Sequence, residues 1–284
     1  MPFFFFISGY LFRIKEHGFW PFFKQGINSL LIPYYLLNII SALIVLPLII
    51  FMGSWDDFFN KLIDTLIGGP HSFAGASWFL FCLFEIRIIA FCAIKTNKLW
   101  GFISVSVIIA YILHDPLLFS VGTSFAAFPF FMIGYYIKLN KPFSILEDVD
   151  RKKLLICLLM ILLPVILLLN GIMGNVAIYS LTFGNYEYLY YFEAFLGIST
   201  YIVFVLLLSN KKNVIVENLS NGCIILMCLH GPLGVYVFPA VSQLTGLSYN
   251  LFSFGLIVTV ITVTSLYYPI ILLRKKYPIL SGGR

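Results

Sequence analysis

Long runs of apolar residues are the feature that most constrains how this chain can fold. Several runs approach the roughly 20 residues that an α-helix needs to cross the hydrocarbon core of a bilayer. Apolar residues make up 61% of the 284-residue chain and charged residues only 11%, against roughly 25% charged in an average soluble domain. A water-soluble protein could not cover its surface with so few polar groups. The sequence therefore predicts an integral membrane protein and excludes a soluble enzyme, a secreted disulfide scaffold and a disordered segment.

The apolar runs predict an all-α fold, a polytopic transmembrane helix bundle with about nine membrane segments. The predicted spans are 2–12, 29–52, 77–94, 99–113, 117–137, 154–170, 191–209, 222–240 and 250–273. Segment 2–12 reaches only about 16 Å as a helix, so we expect it to be the second half of a span. Because no loop is long enough to form an aqueous domain, residues 1–284 are expected to form a single integral-membrane domain.

The basic residues are distributed unevenly between alternate connections. Sixteen of the 18 Lys and Arg residues lie in one set of connections, which comprises 13–28, 95–98, 138–153, 210–221 and the tail after 273. The alternate connections contain only Lys61, and Arg87 lies inside a span. By the positive-inside rule the basic set faces the cytoplasm. We therefore expect a multi-pass protein of the cell membrane whose C-terminus is cytoplasmic.

The charge pattern and the motifs exclude several other classes. The net charge of +6 is divided among short loops between spans, which is typical of membrane orientation and argues against a nucleic-acid partner. No nucleotide-binding GxxxxGK[ST] or GxGxxG motif is present, and the five cysteines lack the spacing of metal ligands. We expect no metal and no tightly bound cofactor. The lipid bilayer is an expected partner, and the sequence leaves the oligomeric state open.

Ionisable residues inside predicted spans are candidates for function, because burying them in hydrocarbon is unfavourable. Glu85 lies near the middle of span 77–94, and Arg87 follows it on nearly the opposite face of the helix. Glu85 either makes a structural hydrogen bond between helices or serves a site. Arg87 either extends to the cytoplasmic headgroup region or binds a substrate there.

Two histidines are further candidates. His230 lies in the middle of span 222–240, directly before Gly231 and Pro232, where the proline is expected to kink or open the helix. A histidine beside such a break is either a polar packing contact or a proton-transfer group. His71 lies in the small-residue connection 68–77, which is either a simple connector or a lid over an acceptor site.

Four sequence elements, in order, resemble the acyltransferase-3 family of membrane enzymes that O-acylate sugars, including its fucose 4-O-acetylase-like branch. They are Met1-Pro2-Phe3-Phe4-Phe5-Phe6-Ile7-Ser8-Gly9-Tyr10-Leu11-Phe12, Leu30-Leu31-Ile32-Pro33-Tyr34, Ser77-Trp78-Phe79-Leu80 and Leu229-His230-Gly231-Pro232. The family has ten membrane helices, and its first helix carries an Arg and a His regarded as essential for acyl transfer. Because this chain begins within the resemblance to the second helix, we expect it to be N-terminally incomplete.

The resemblance implies transfer of an acetyl or similar acyl group from acyl-CoA to a sugar hydroxyl of a lipid-linked or cell-surface glycan. On this hypothesis His230 and Glu85 are the catalytic candidates. Arg13, Lys24 and Arg87 are the candidates for binding the phosphates of acyl-CoA, and His71 and Trp78 for binding the glycan acceptor. Two alternatives remain open at this point: a transporter or flippase of a glycan intermediate, and an inactive remnant of the acyltransferase.

Overall fold

A computed structural model describes residues 1–14, 18–113, 118–140, 151–208, 213–246 and 252–282. The described part of the chain is almost entirely helical. Its α-helices are α1 Pro2–Leu11, α2 Phe19–Gly26, α3 Ile32–Met52, α4 Trp55–Ile67, α5 Trp78–Lys95, α6 Leu99–Ile112, α7 Val121–Leu139, α8 Arg151–Met173, α9 Tyr190–Leu207, α10 Val214–Asn221, α11 Cys223–Thr245 and α12 Phe252–Lys276. A π-helical turn, Ile27–Leu31, joins α2 to α3, and the short strands β1 (Val176–Ala177) and β2 (Thr182–Phe183) form an antiparallel pair.

The helices confirm the all-α membrane-type fold, because each predicted apolar stretch falls on one of them. Five helices are long and apolar enough to cross a membrane, namely Phe19–Met52, Leu154–Met173, Glu187–Leu207, Cys223–Leu244 and Ser253–Lys276. Pro2–Leu11 and Leu99–Ile112 are apolar but shorter. α5 and α7, the other two predicted spans, do not meet this criterion, and α5 carries the charged residues Glu85, Arg87 and Lys95. The number of nine crossings therefore stays a prediction.

The chain divides into two compact units. The first contains 1–15, 85–117 and 121–211, and the second contains 16–84, 118–120 and 212–284. The boundary falls within α5, so Phe84 belongs to the second unit and Glu85 to the first.

In the first unit, α1 packs closely against α7 through two glycines. A Cβ atom on Gly9 would overlap the carbonyl oxygen of Phe131, and one on Gly134 would overlap the carbonyl oxygen of Phe6. Each glycine thus lets the two backbones approach, as small residues do between membrane helices. The contact also brings the ends of α1 and α7 together, and this places the basic side chains described below.

α7 and α8 show how the first unit divides its residues between inside and outside. α7 buries most of its side chains, including the polar Thr123 and Ser124. α8 packs mainly on α9, and few of its side chains between Leu154 and Met173 are buried. An interior richer in polar residues than the exposed surface is expected when lipid is the solvent.

In the second unit, α3 and α4 form an antiparallel hairpin. Gly53, with a φ of 67°, ends α3 in the left-handed region that glycine adopts without strain. α4 then runs back along α3, since the Tyr34 hydroxyl donates a hydrogen bond of 2.9 Å to the carbonyl oxygen of Thr65. Phe58 of α4 packs with Phe73 against Val45 and Ile49 of α3. The segment after α4 therefore lies beside the middle of the helix Phe19–Met52.

Candidate active site

Glu85 lies on α5 and faces α7. The Ser124 hydroxyl donates a hydrogen bond of 2.6 Å to Oε2 of Glu85, and Ser124 itself is fully buried. Glu85 is half-buried. Because an ionised carboxylate has about four positions that accept hydrogen bonds, one serine leaves several of them for other groups. With these positions open among the described residues, the Glu85 carboxylate can accept a proton from a substrate hydroxyl.

Three basic side chains meet at the C-terminal end of α1, and we call Arg13, Arg87 and Lys138 the α1-end cluster. Cζ of Arg87 lies 5.6 Å from the centroid of the Phe12 ring. Nζ of Lys138 donates a hydrogen bond of 2.5 Å to the carbonyl oxygen of Phe12. Arg13 is the next residue in the chain and is exposed.

The electrostatics of the α1-end cluster favour an anion. Partial burial and the nearby Arg13 guanidinium both lower the pKa of Lys138, in that order of size. Lowering of this kind is expected when positive groups are held near one another. A phosphate bound among these side chains would relieve their repulsion and accept several charge-assisted hydrogen bonds.

His230 lies on the exposed side of α11. Its Nδ1 atom is 3.3 Å from the carbonyl oxygen of Leu226, one turn earlier, which fits a tautomer that donates from Nδ1. α11 stays helical from Cys223 to Thr245, through Pro232. The described backbone therefore shows no opening at this proline.

Of the two predicted acceptor-binding residues, His71 lies within the connection between α4 and α5, and Trp78 follows it as the first residue of α5. His71 is exposed, and its backbone N–H donates a hydrogen bond of 2.9 Å to Oδ2 of Asp64. Trp78 begins α5 and is only 4% exposed, which leaves little of its ring for contact with a substrate. Both assignments stay predictions.

Lys24 lies on the short helix α2 and is exposed. Trp20, on the same helix, is 74% exposed, and Phe19 is 40% exposed. An exposed mixture of aromatic and basic side chains is typical of the interface between lipid and water. Of the predicted phosphate-binding residues, Arg13 and Arg87 thus share one cluster in the first unit, whereas Lys24 belongs to the second unit.

Asn38 is a buried polar residue that sequence reasoning missed. It is 1% exposed, and its Nδ2 donates hydrogen bonds to the Tyr34 carbonyl oxygen (3.0 Å) and to Oγ of Ser77 (2.9 Å). Its Oδ1 accepts a hydrogen bond of 2.9 Å from the N–H of Ala74. Asn38 thereby ties the connection 68–77 to α3. Its spacing from Tyr34 and Ser41, at i, i+4 and i+7 of one apolar helix, was the signal that could have revealed it.

Ser124 and Lys138 were also missed. Ser124 is one small hydroxyl in an apolar span, and Lys138 is one of many lysines in the basic connections, so neither differs from its neighbours in sequence. Only the packing of α7 against α1 and α5 distinguishes them. No group of three or more His, Cys, Asp or Glu side chains that could hold a metal ion is found among the described residues.

Comparison with known proteins identifies the family. No curated protein and no solved structure gives a significant match to this chain. The profile of the acyltransferase-3 family, described as an acyltransferase domain, matches residues 1–271. The match includes all four sequence elements that resemble the family, together with Glu85, the α1-end cluster and His230. Since it covers nearly the whole chain, the protein belongs to the acyltransferase-3 family of membrane acyltransferases.

Proposed function

We propose that this protein transfers an acyl group, acetyl in the simplest case, from acyl-CoA to a sugar hydroxyl of a lipid-linked or cell-surface glycan. The family match over residues 1–271 is the observation that carries the proposal. The geometry supports it in two ways. Glu85 offers a carboxylate between two helices, and the α1-end cluster offers positive charge for the phosphates of CoA.

The proposed reaction is a direct acyl transfer. Glu85 accepts the proton of the sugar hydroxyl as the hydroxyl oxygen attacks the thioester carbonyl. The carbon–sulfur bond then breaks, and the proton leaves with the CoA thiolate as the thiol. His230, whose ordinary pKa suits proton transfer, is the second candidate for the same role. Its exposure on α11 makes Glu85 the stronger of the two.

The proposed orientation follows from the charge of the connections. The basic set faces the cytoplasm by the positive-inside rule, and acyl-CoA is available there. On this arrangement the protein resides in the cell membrane, its C-terminus is cytoplasmic, and the α1-end cluster lies on the side of the donor. Lys24 belongs to the same basic set of connections.

Transfer is tested with purified protein in proteoliposomes, radiolabelled acetyl-CoA and a glycan fraction extracted from the native membrane. We expect label to appear in the glycan only when both substrates and the protein are present. Uptake of glycan into the vesicles without any thioester would instead favour a transporter. Absence of both label transfer and glycan uptake would contradict both proposals and favour an inactive protein.

Donor binding is tested with Lys138→Ala. Because Lys138 is held at the α1 end, we expect KM for acetyl-CoA to rise about 10-fold, the effect of one charge-assisted hydrogen bond. Lys98→Ala, which changes an exposed lysine at the start of α6, is the matched control and should leave KM within a factor of two. Equal effects of the two variants would show that only the general positive charge of this surface matters.

A further inference from the structure

The connection between α4 and α5 lies beside the middle of the helix Phe19–Met52, because the N–H of Ala74 within it binds Asn38. Asn38, which holds this connection, is about 21 Å along the helix axis from Met52, at 1.5 Å per residue. The helix Phe19–Met52 is long and apolar enough to cross a membrane, and the hydrocarbon core is about 30 Å thick. If Met52 marks the edge of the hydrocarbon, the backbone of 68–77 lies well inside it. Non-helical backbone is tolerated there only where it is buried in protein or lines a water-filled cavity.

Part of the connection 68–77 is buried in protein. The carbonyl oxygen of Gly68 accepts a hydrogen bond of 2.6 Å from the Ser120 hydroxyl. Ser72 and Ser77 share a hydrogen bond of 2.9 Å between their hydroxyls, and both are buried. Phe73 and Ala74 are buried as well. His71 differs, because it is exposed at the same depth.

α4 leads to His71 and has three distinct faces. Phe58 and Thr65 face α3 and the Asn38 network. Large apolar side chains that are 38–58% exposed form a second face, which comprises Trp55, Phe59, Leu62 and Leu66. Polar side chains form the third face at the spacing i, i+3, i+4 and i+7, and they are Asp57, Asn60, Lys61 and Asp64.

The polar face of α4 and His71 line one cleft. The cleft has a volume of about 460 Å³ and is bounded by Asp57, Asn60, Lys61, Ile63, Asp64 and His71. Lys61 forms an ion pair with Asp57 near the N-terminal end of α4, with 2.7 Å between Nζ and Oδ2. Asp64 lies deeper and accepts the N–H of His71. Lipid cannot fill this cleft, since charged groups in contact with hydrocarbon are strongly unfavourable.

We propose that this cleft is a water-filled path that admits the acceptor hydroxyl from the less basic side of the membrane to the depth of Asn38. The claim that the path admits the acceptor rests on the proposed acyl transfer. The claim that the cleft is filled with water does not. The lining fits a polyhydroxylated ligand, because carboxylate oxygens accept hydrogen bonds from hydroxyls while the Asn60 amide and the Lys61 ammonium donate to them. The volume lies within the range of small-molecule sites, roughly 300–1,000 Å³.

Thiol accessibility tests the path. The five native cysteines are first replaced, and single cysteines are then introduced by Asn60→Cys and His71→Cys in the cleft. Phe59→Cys and Leu66→Cys, on the apolar face of α4 beside them, are the matched controls at similar depths. A positively charged, membrane-impermeant methanethiosulfonate is added to sealed proteoliposomes, and its rate of reaction with each variant is measured.

We expect the two cleft cysteines to react at least 10-fold faster than their controls, with the reagent on the less basic side. A cysteine at position 71 that reacts no faster than one at position 66 would overturn the path. A size-exclusion profile equal to that of the cysteine-free parent shows that each variant is folded. This measurement does not depend on activity, so it stands apart from the test of acyl transfer.

Entry of the acceptor into the cleft is tested with the glycan fraction that receives label in the transfer assay. At saturating concentration it should slow modification of His71→Cys at least 5-fold and leave Phe59→Cys unchanged. If label transfer occurs but the glycan does not slow the modification, the cleft does not admit the acceptor. If no transfer occurs and the cleft cysteines still react rapidly, the proposed function fails while the water-filled path stands.

Discussion

Asn38 and Glu85 are two polar side chains on predicted membrane-spanning helices, and they differ in how their hydrogen-bonding capacity is used. Asn38 is almost completely buried, and both atoms of its amide group are bonded to neighbouring groups of α3 and of the connection 68–77. Glu85 is half-buried and, among the described residues, receives a hydrogen bond from Ser124. The amide is saturated, whereas the described residues use only part of the carboxylate's capacity to accept hydrogen bonds.

This difference indicates a structural role for Asn38 and makes Glu85 the candidate for a role in the reaction. A buried polar group that is fully bonded stabilises one arrangement of the chain, because any other arrangement leaves it unsatisfied. A carboxylate with unused acceptor positions is expensive to hold inside a membrane protein, so a substrate or water is the natural partner. Substitutions at three positions test this comparison. Those at Glu85 are expected to change activity, and those at Asn38 are expected to change stability.

Glu85→Gln is expected to give the largest effect. The amide keeps the shape of the side chain and accepts from Ser124, but it cannot act as a base. General-base catalysis contributes roughly 10²–10⁴-fold, so kcat in the transfer assay should fall at least 100-fold, or about 2.7 kcal/mol in activation free energy. The thermal midpoint in detergent should not fall. A variant that keeps more than a tenth of wild-type kcat would remove Glu85 from the reaction.

Asn38→Leu should act on stability instead. Leucine has similar volume but leaves the N–H of Ala74 and the carbonyl oxygen of Tyr34 without their amide partner. Each unsatisfied buried group costs about 1–3 kcal/mol, so we expect a loss of about 2 kcal/mol in the free energy of unfolding, measured by denaturant titration in detergent.

The folded fraction of Asn38→Leu should keep kcat within about 10-fold of wild type, clearly above that of Glu85→Gln. Asn38→Asp provides a second variant of almost the same shape that loses the two amide donors. If both variants lose activity to the extent of Glu85→Gln without losing stability, Asn38 belongs to the reaction and the comparison fails.

Ser124→Ala should have the smallest effect. It removes the donor to Oε2 of Glu85, and a hydrogen bond to a charged group contributes about 1.5 kcal/mol, so kcat should fall about 10-fold. Ser124→Thr keeps the hydroxyl and should restore most of the activity. Because rescue by threonine depends on the hydroxyl, it distinguishes positioning of Glu85 from a general packing defect at α7.

The sequence predicted the helices well because lipid imposes a strong constraint on composition. A span such as 154–170 must be apolar on every side, and α8 accordingly covers it. The weaker predictions concerned segments whose structure depends on tertiary contacts. The region 53–76 has the composition of a surface loop, yet α4 returns along α3. The Tyr34 hydroxyl of α3 donates a hydrogen bond to the carbonyl oxygen of Thr65, and Oδ1 of Asn38 accepts one from the Thr65 hydroxyl.

The candidate site could be predicted only in part. Glu85 and Arg87 are visible in sequence because charge is rare inside apolar spans. The other members of the candidate site are not visible, since Ser124 and Lys138 acquire their positions from the packing of α7. At His230 the sequence left two outcomes open, since Pro232 was expected to kink or open the helix. The described backbone of α11 stays helical through Pro232, and the role of His230 stays a prediction.

The contact at Gly9 and Gly134 has a mechanical consequence for the α1-end cluster. Because even a methyl group at either position would collide with the facing backbone, no acyl chain of a lipid can wedge between α1 and α7. We therefore expect the two helices to tilt or shift together. The distance between the Phe12 carbonyl oxygen and Nζ of Lys138 should thus vary little with bilayer thickness, and so should the proposed affinity of the α1-end cluster for a phosphate.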